Sequence, residues 1–342
     1  MNQPAKAADS STGASAEKPS ADQSRAKRAG NPFKRFFKVL GPGLITGASD
    51  DDPSGIGTYA MAGASFGYAT LWIALITFPL MAGVQFICAK IGLVAGCGIG
   101  RVMRRHYPRF VAYPAVVALI IANVINAAAD IMAIAAGINL LVRIPILAMI
   151  LPIGLAILVV QVWGSYQLIQ RIFKWLTLAL FAYIGSAFLA RPNWHEVLKG
   201  TLIPTLRFDS DFLSMLVALL GTTISPYLFF WQANQEVEDL EAKNHNHDHP
   251  QDQNANSDRH NNYGHPRLTA SKSQLQVAAW DVNAGMLLSN VVMFFIILAT
   301  AATLHRTGHT HIDTATDAAE ALRPIAGNAA FVLMALGLIG SG

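Results

Sequence analysis

Charge is what this chain has least of. Asp, Glu, Lys and Arg make up 13% of its 342 residues, against about a quarter in an ordinary soluble domain. Cysteine is nearly absent: Cys88 and Cys97 both lie inside one apolar run. They offer neither a disulfide framework nor a cysteine zinc site and read as small packing residues. Residues 1–32 have no apolar core, which excludes the usual secretory signal pattern. No segment carries a Ser/His/Asp set, a zinc-protease helix or a phosphate-cradling glycine loop, so no enzymatic chemistry and no cofactor are expected. The net charge of +4 is modest and no nucleic-acid partner is expected.

What the chain does have is apolar sequence in long blocks, with 53% of residues in the hydrophobic class. A membrane span needs about 20 mostly apolar residues, and in lipid such a block must be helical because unpaired backbone groups are too costly there. Eight blocks fit, at roughly 39–62, 68–96, 111–141, 145–163, 172–190, 212–233, 277–304 and 326–342. Each has helix length and none alternates like a strand. An all-α polytopic membrane domain over 38–342 is therefore expected, behind a disordered basic tail at 1–37. Arg25, Lys27, Arg28, Lys34, Arg35 and Lys38 precede the first block, and Arg101, Arg104, Arg105 and Arg109 follow the second. With Arg171 and Lys174 these basic loops fall on one side, which the positive-inside bias makes cytoplasmic, together with the N-terminus.

A polar stretch at about 234–274 is expected to be a cytoplasmic loop carrying His245, His247, His249, His260 and His265. It reads either as a metal-binding tract or as a solvated, disordered insertion, and its composition favours the second. His106, His195 and His305 lie near span ends and read as ordinary interfacial residues. The last block runs into Gly342 with nothing polar after it, so the chain reads as C-terminally truncated.

The first block is interrupted by Ser49-Asp50-Asp51-Asp52-Pro53-Ser54-Gly55. A carboxylate at bilayer depth costs about 3 kcal/mol on insertion scales, so such groups face a bundle interior or water and mark ion paths. Pro53 removes a backbone donor and Gly55 accepts unusual torsions, so an unwound segment with freed carbonyls is expected. A plain loop cap between two short interfacial helices is the alternative. The sixth block is interrupted in the same way by Thr222-Thr223-Ile224-Ser225-Pro226-Tyr227. Two broken helices five spans apart point to an inverted-repeat carrier with its site near the midplane. In the third block Asn126 and Asp130 share one helix face at i, i+4. They belong either to interhelical hydrogen bonding or to a cation or proton path.

Gly41-Pro42-Gly43, then Asp52-Pro53-Ser54-Gly55, then Ser225-Pro226-Tyr227 resemble the NRAMP family of divalent metal transporters, and more narrowly its bacterial NRAMP-related branch. The resemblance implies a leucine-transporter-type fold of inverted five-helix repeats, here with the second repeat incomplete, in a bacterial inner membrane. It places the metal between the breaks of the first and sixth spans. The family's Asp-Pro-Gly-Asn motif sets its Asp on Asp52 and its Asn on Gly55, and its Met-Pro-His falls on Ser225, Pro226 and Tyr227. The carbonyl used three residues before that Met falls on Thr222. Replacing a thioether by Ser225 leaves oxygen donors only, which suits Mg²⁺ or Mn²⁺ over softer ions. The family's third-span Asp matches Asp130, but the following Glu falls on Ala133.

The expected metal-holding set is thus Asp52, the carbonyls of Gly55 and Thr222, and Ser225, with Asp51, Ser54, Tyr227 and Asp130 around it or along the path. Proton coupling is expected to be weak or absent, because Ala133 and Tyr227 replace two groups able to titrate near neutrality. The expected partners are a divalent cation as cargo and the lipid bilayer, while the oligomeric state stays open. Two other readings stand beside this one: an organic-solute carrier of the same fold, and a non-transporting membrane remnant or sensor.

Overall fold

The computed structural model describes residues 46–47, 49–163, 181, 183–245, 270–312 and 314–341. The expected 1–37 tail, most of the fifth apolar block and the histidines from His247 to His265 lie outside the described residues. Among the described residues there is helix and no strand. Residues 46–47 and 49–50 are helical. They are followed by α1 (Pro53–Phe66), a 3-10 turn (Gly67–Thr70), α2 (Ile73–Ala95), α3 (Ile99–His106), α4 (Arg109–Val142) and α5 (Ile146–Trp163). After a helical stretch at 183–189 come α6 (Trp194–Leu202), α7 (Ser210–Thr223), α8 (Pro226–His245), α9 (Lys272–Thr303), a second 3-10 turn (His305–Thr307) and α10 (Ala315–Ser341).

The core is organised around α9. Val292, Met293, Ile296, Ile297 and Leu298 are buried there against Ile56, Tyr59, Ala60, Ala62 and Ala64 of α1. Small residues on α1 let the two backbones approach closely, the usual device where apolar burial alone cannot drive association. At Gly63 a Cβ would overlap Thr300 Oγ1 and the Ile297 carbonyl. At Gly47, just before the first break, a Cβ would overlap the Gly285 carbonyl of α9.

The outer helices are apolar on their exposed sides. Phe110 on α4 and Leu147 and Leu151 on α5 are largely exposed. In water each would forgo roughly 1.5–3 kcal/mol of burial, and a hydrocarbon surround removes that loss. Among the described residues, four helical segments are long and apolar enough to cross a membrane: Ile73–Ala95, Arg109–Val142, Ser210–Leu240 and Lys272–Thr307.

Three boundaries differ from the sequence reading. The first block is split, and its second half, α1, has 14 residues. At 1.5 Å per residue it is about 21 Å long, short of the roughly 30 Å hydrocarbon core. α8 continues as helix to His245, well inside the stretch read as a loop from 234, because Gln235-Glu236-Val237-Glu238 onward is rich in strong helix formers. α10 begins at Ala315 rather than near 326 and bends at Gly327, which holds φ 86° and ψ 172°.

Candidate functional site

Both interruptions share one local grammar. Asp52 leaves the helix at φ −72°, ψ 165° and caps α1, its side chain accepting from the Gly55 amide. Pro53 then occupies the first helical position, where its missing N–H is no loss and its fixed φ suits the helix. In the second break α7 ends at Thr223, Ile224 adopts φ −109°, ψ 67°, and Pro226 opens α8. Each break therefore sets a polar residue directly before a proline that restarts the helix.

Asp52 is the hub. It is 7% exposed, and four donors converge on its carboxylate. Oδ1 accepts from the Gly55 amide at 2.7 Å and from Ser54 Oγ at 2.8 Å. Oδ2 accepts from the Tyr227 hydroxyl at 2.8 Å and from Asn126 Nδ2 at 3.1 Å. The same Asn126 amide nitrogen donates to Asp130 Oδ2 at 3.1 Å, so both of its N–H groups are used. Asp130 Oδ1 is buried with no hydrogen-bond partner. Asp52, Ser54, Tyr227 and Asp130, which lie far apart in sequence, thus meet at one point.

The remaining expected residues are placed differently. Ser225 Oγ donates to the Thr222 carbonyl at 2.9 Å, one of the carbonyls that a helix end leaves without an intrahelical partner. Its oxygen lone pairs stay available. Gly55 sits at the third position of α1, where helical geometry points its carbonyl at the amide four residues on, not into the break. The carbonyl expected to be freed there is not free, because Pro53 restarts the helix at once. Asp51 turns away from Asp52: Ser289 Oγ of α9 donates to Asp51 Oδ1 at 3.2 Å and to Asp50 Oδ2 at 2.6 Å. Among the described residues no three His, Cys, Asp or Glu side chains form a metal cluster. Asp52 and Asp130, bridged by Asn126, are the carboxylates brought together here, with hydroxyl and amide groups around them.

Two residues were hidden in the sequence. Asn126 stands out there only as a partner of Asp130, while its bridge to Asp52 crosses between helices. Ser289 is a lone hydroxyl in an apolar run and carries no local signal at all. Replacing Asn126 by Leu is expected to lower cargo affinity by about ten- to hundredfold, the usual effect of losing an orienting partner. Titration of the purified variant with Mn²⁺ by calorimetry measures it, and unchanged affinity would remove Asn126 from the site.

Two cavities are lined by the partners and neighbours of Asp52. One of about 410 Å³ is lined by Ser49, Asn126, Asp130, Tyr227 and Asn234 among others. The other, about 530 Å³, is lined by Pro53, Ser54, Met61, Ala129 and Ala133 among others. The oxygens of Asp52 divide between them: Oδ2 is held by Asn126 and Tyr227 of the first, and Oδ1 by Ser54 of the second.

Comparison with known proteins bears on the family and the fold. The sequence profile described as natural resistance-associated macrophage protein-like, Nramp, matches residues 43–342. The divalent metal cation transporter MntH of Brucella suis is 27% identical over 323 residues, covering 92% of this chain and 65% of that protein. The chain thus spans slightly less than two thirds of that relative's length. Among solved structures, the manganese transporter of Eremococcus coleocola bound to an aromatic bis-isothiourea substituted compound superposes with a TM-score of 0.72 at 20% identity. The match covers 92% of this chain and 63% of that one. A single-residue mutant of the same transporter gives 0.69 over the same shares at the same identity. At that identity the likeness speaks for the fold, a leucine-transporter-type arrangement of helices with discontinuous first and sixth members. With its family profile running from just ahead of the first helix break to the last residue, the chain belongs to the Nramp family of membrane proteins.

Proposed function

We propose that this protein carries divalent metal cations across a bilayer, with Asp52 as the anchoring ligand and no enzymatic step. One observation carries the reading: a single buried carboxylate hydrogen-bonded on one oxygen to residues of one cavity and on the other to a residue of the opposite cavity. A cation held there can be approached from either side. The Ser225 hydroxyl, the Thr222 carbonyl and the Asn126 amide oxygen are neutral hard donors beside it, and Ser54 and Tyr227 hold the carboxylate in place. Asp130, joined to Asp52 through Asn126, belongs to the path. Asp51 and Asp50 are both held by Ser289 of α9 and do not reach the cargo.

This donor set contains no sulfur. It favours Mg²⁺ or Mn²⁺ over Cd²⁺, because hard cations prefer oxygen and softer ones prefer thioether or thiolate. Proton coupling is weak in this reading, since Ala133 and Tyr227 stand where imidazole or carboxylate would be needed. The N-terminus faces the cytoplasm of a bacterial inner membrane, following the distribution of Arg and Lys.

Flux into liposomes with Mg²⁺, Mn²⁺ and Cd²⁺ beside a pH reporter tests all three statements. The expected result is entry of Mg²⁺ or Mn²⁺ that excess Cd²⁺ barely inhibits, with little acidification. Cd²⁺ outcompeting both would end the hard-cation assignment, and strict acidification with metal entry would end the weak-coupling one. An organic carboxylate as cargo fits poorly: the N-terminus of α1 that would receive it is already capped by the carboxylate of Asp52.

A further inference from the structure

Away from the helix breaks, a cavity of about 450 Å³ opens where the helical stretch 183–189 and α9 both end. Arg191 and Arg306 line it with Thr303 and Thr307, over Phe188 and Leu189. No carboxylate is among its lining residues. Arg306 also lies within electrostatic reach of the Tyr68 phenol, on which Glu196 acts with the opposite sign. The threonine protons are committed inside the chain: Thr303 Oγ1 donates to the Ala299 carbonyl at 2.6 Å and Thr307 Oγ1 to the Thr303 carbonyl at 3.0 Å. The two arginines are therefore the donors this cavity offers.

Their placement is held by backbone. Arg191 has φ 49°, in the left-handed region that residues with side chains seldom enter. Its amide donates to the Phe188 carbonyl at 3.3 Å and closes the turn. Arg306 lies in the 3-10 turn after α9. Beneath them is an aromatic layer: Phe188 sits 5.8 Å from Trp194 and 5.6 Å from Phe295, ring centre to ring centre. Phe188, Leu189 and Trp194 all present much of their surface outward. Aromatic side chains of this kind concentrate at the headgroup level of a bilayer.

We propose that this cavity binds the phosphate of an anionic phospholipid headgroup, with the acyl chains lying along Phe188 and Leu189. Two guanidinium forks match phosphate oxygens in geometry and charge. The adjoining outward apolar surface is what distinguishes a lipid from free phosphate, which has no use for it. The role is separate from cation carriage, because neither arginine lines the cavities around Asp52.

The test is native mass spectrometry of the full chain released from detergent, with phosphatidylglycerol, a diacylglycerol of the same acyl chains, and inorganic phosphate as probes. Retention of phosphatidylglycerol but not diacylglycerol is expected, with a large excess of inorganic phosphate displacing little. The double variant R191Q/R306Q should weaken phosphatidylglycerol retention by about tenfold, the scale of one charge-assisted contact at an exposed site. R191K/R306K, which keeps charge but loses the fork, should fall between. Both side chains are exposed, so helical content by circular dichroism should not change. Equal retention of diacylglycerol, or wild-type retention by R191Q/R306Q, would overturn the proposal. Phosphate that binds alone and fully displaces the lipid would overturn the lipid assignment in favour of a free-anion site.

Discussion

Asp52→Ala is expected to reduce Mn²⁺ or Mg²⁺ flux into liposomes to background while the protein still reaches the membrane. Its two oxygens are held by residues that line different cavities, so the loss should exceed the ten- to hundredfold that orienting partners cost. Alanine also removes the cap of α1, which by itself costs about 1 kcal/mol. Asp52→Asn separates the two effects. Asparagine caps a helix about as well as aspartate and keeps an oxygen for the Gly55 amide and Ser54, while its amide nitrogen takes the place of the oxygen held by Tyr227 and Asn126 and it carries no charge. It should keep the thermal stability of the parent chain and lose flux nearly as completely as alanine. Flux in Asp52→Asn close to that of the parent chain would mean the negative charge at residue 52 is not what holds the cargo.

Gly63→Ala should cost the most stability for the smallest change in size. The added methyl would overlap Thr300 Oγ1 and the Ile297 carbonyl at the packed face of α1 on α9. A hydroxyl can rotate aside, but a helix carbonyl cannot move without shifting α9. Overpacking of this kind costs about 1–3 kcal/mol or more. The expected readout is a clear fall in melting temperature by fluorescence-detected gel filtration. Adding Thr300→Ala should restore only part of it, because the backbone overlap remains; neighbouring sites of this kind are not additive. A Gly63→Ala protein that melts with the parent would show that the two helices are not as close as described.

How far the site could be read from sequence depended on how local each signal was. Asp52, Pro53, Ser225 and Pro226 announce themselves, because a carboxylate or hydroxyl before a proline inside an apolar block is costly wherever it occurs. Tyr227 entered through the resemblance, at the position of the family's His after the second break. The carbonyl of Gly55 was misplaced because glycine and proline both suggest unwinding, yet a proline one residue after an aspartate starts a helix instead of ending one. Asp51 was grouped with Asp52 by adjacency. Asp51 lies in a bend and Asp52 in extended backbone ahead of α1, where successive side chains project to different sides, and Asp51 meets Ser289 on a different helix. Asn126 was half legible: the i, i+4 spacing gave its link to Asp130, while its contact with Asp52 depends on how α4 leans against the first break. The fold followed similar lines. Block lengths and the two breaks indicated the architecture, but the continuation of α8 to His245 came from helix propensity in a stretch that composition marks as solvated.

The bend in α10 rests on a different kind of constraint from the contact at Gly63. A Cβ at Gly327 would meet nothing within 4 Å, and only the torsion stands in the way. With φ 86° and ψ 172° the residue lies in territory that mirror-symmetric glycine enters freely and chiral residues scarcely at all. The peptide unit permits the change of direction, and one side chain reaches across it: Arg323 Nε donates to Asn328 Oδ1 at 2.9 Å, with its guanidinium 5.1 Å from the Phe331 ring centre. Removing that bridge would leave the glycine torsion in place, whereas a single stereocentre at 327 would pull the two parts of α10 towards a common axis.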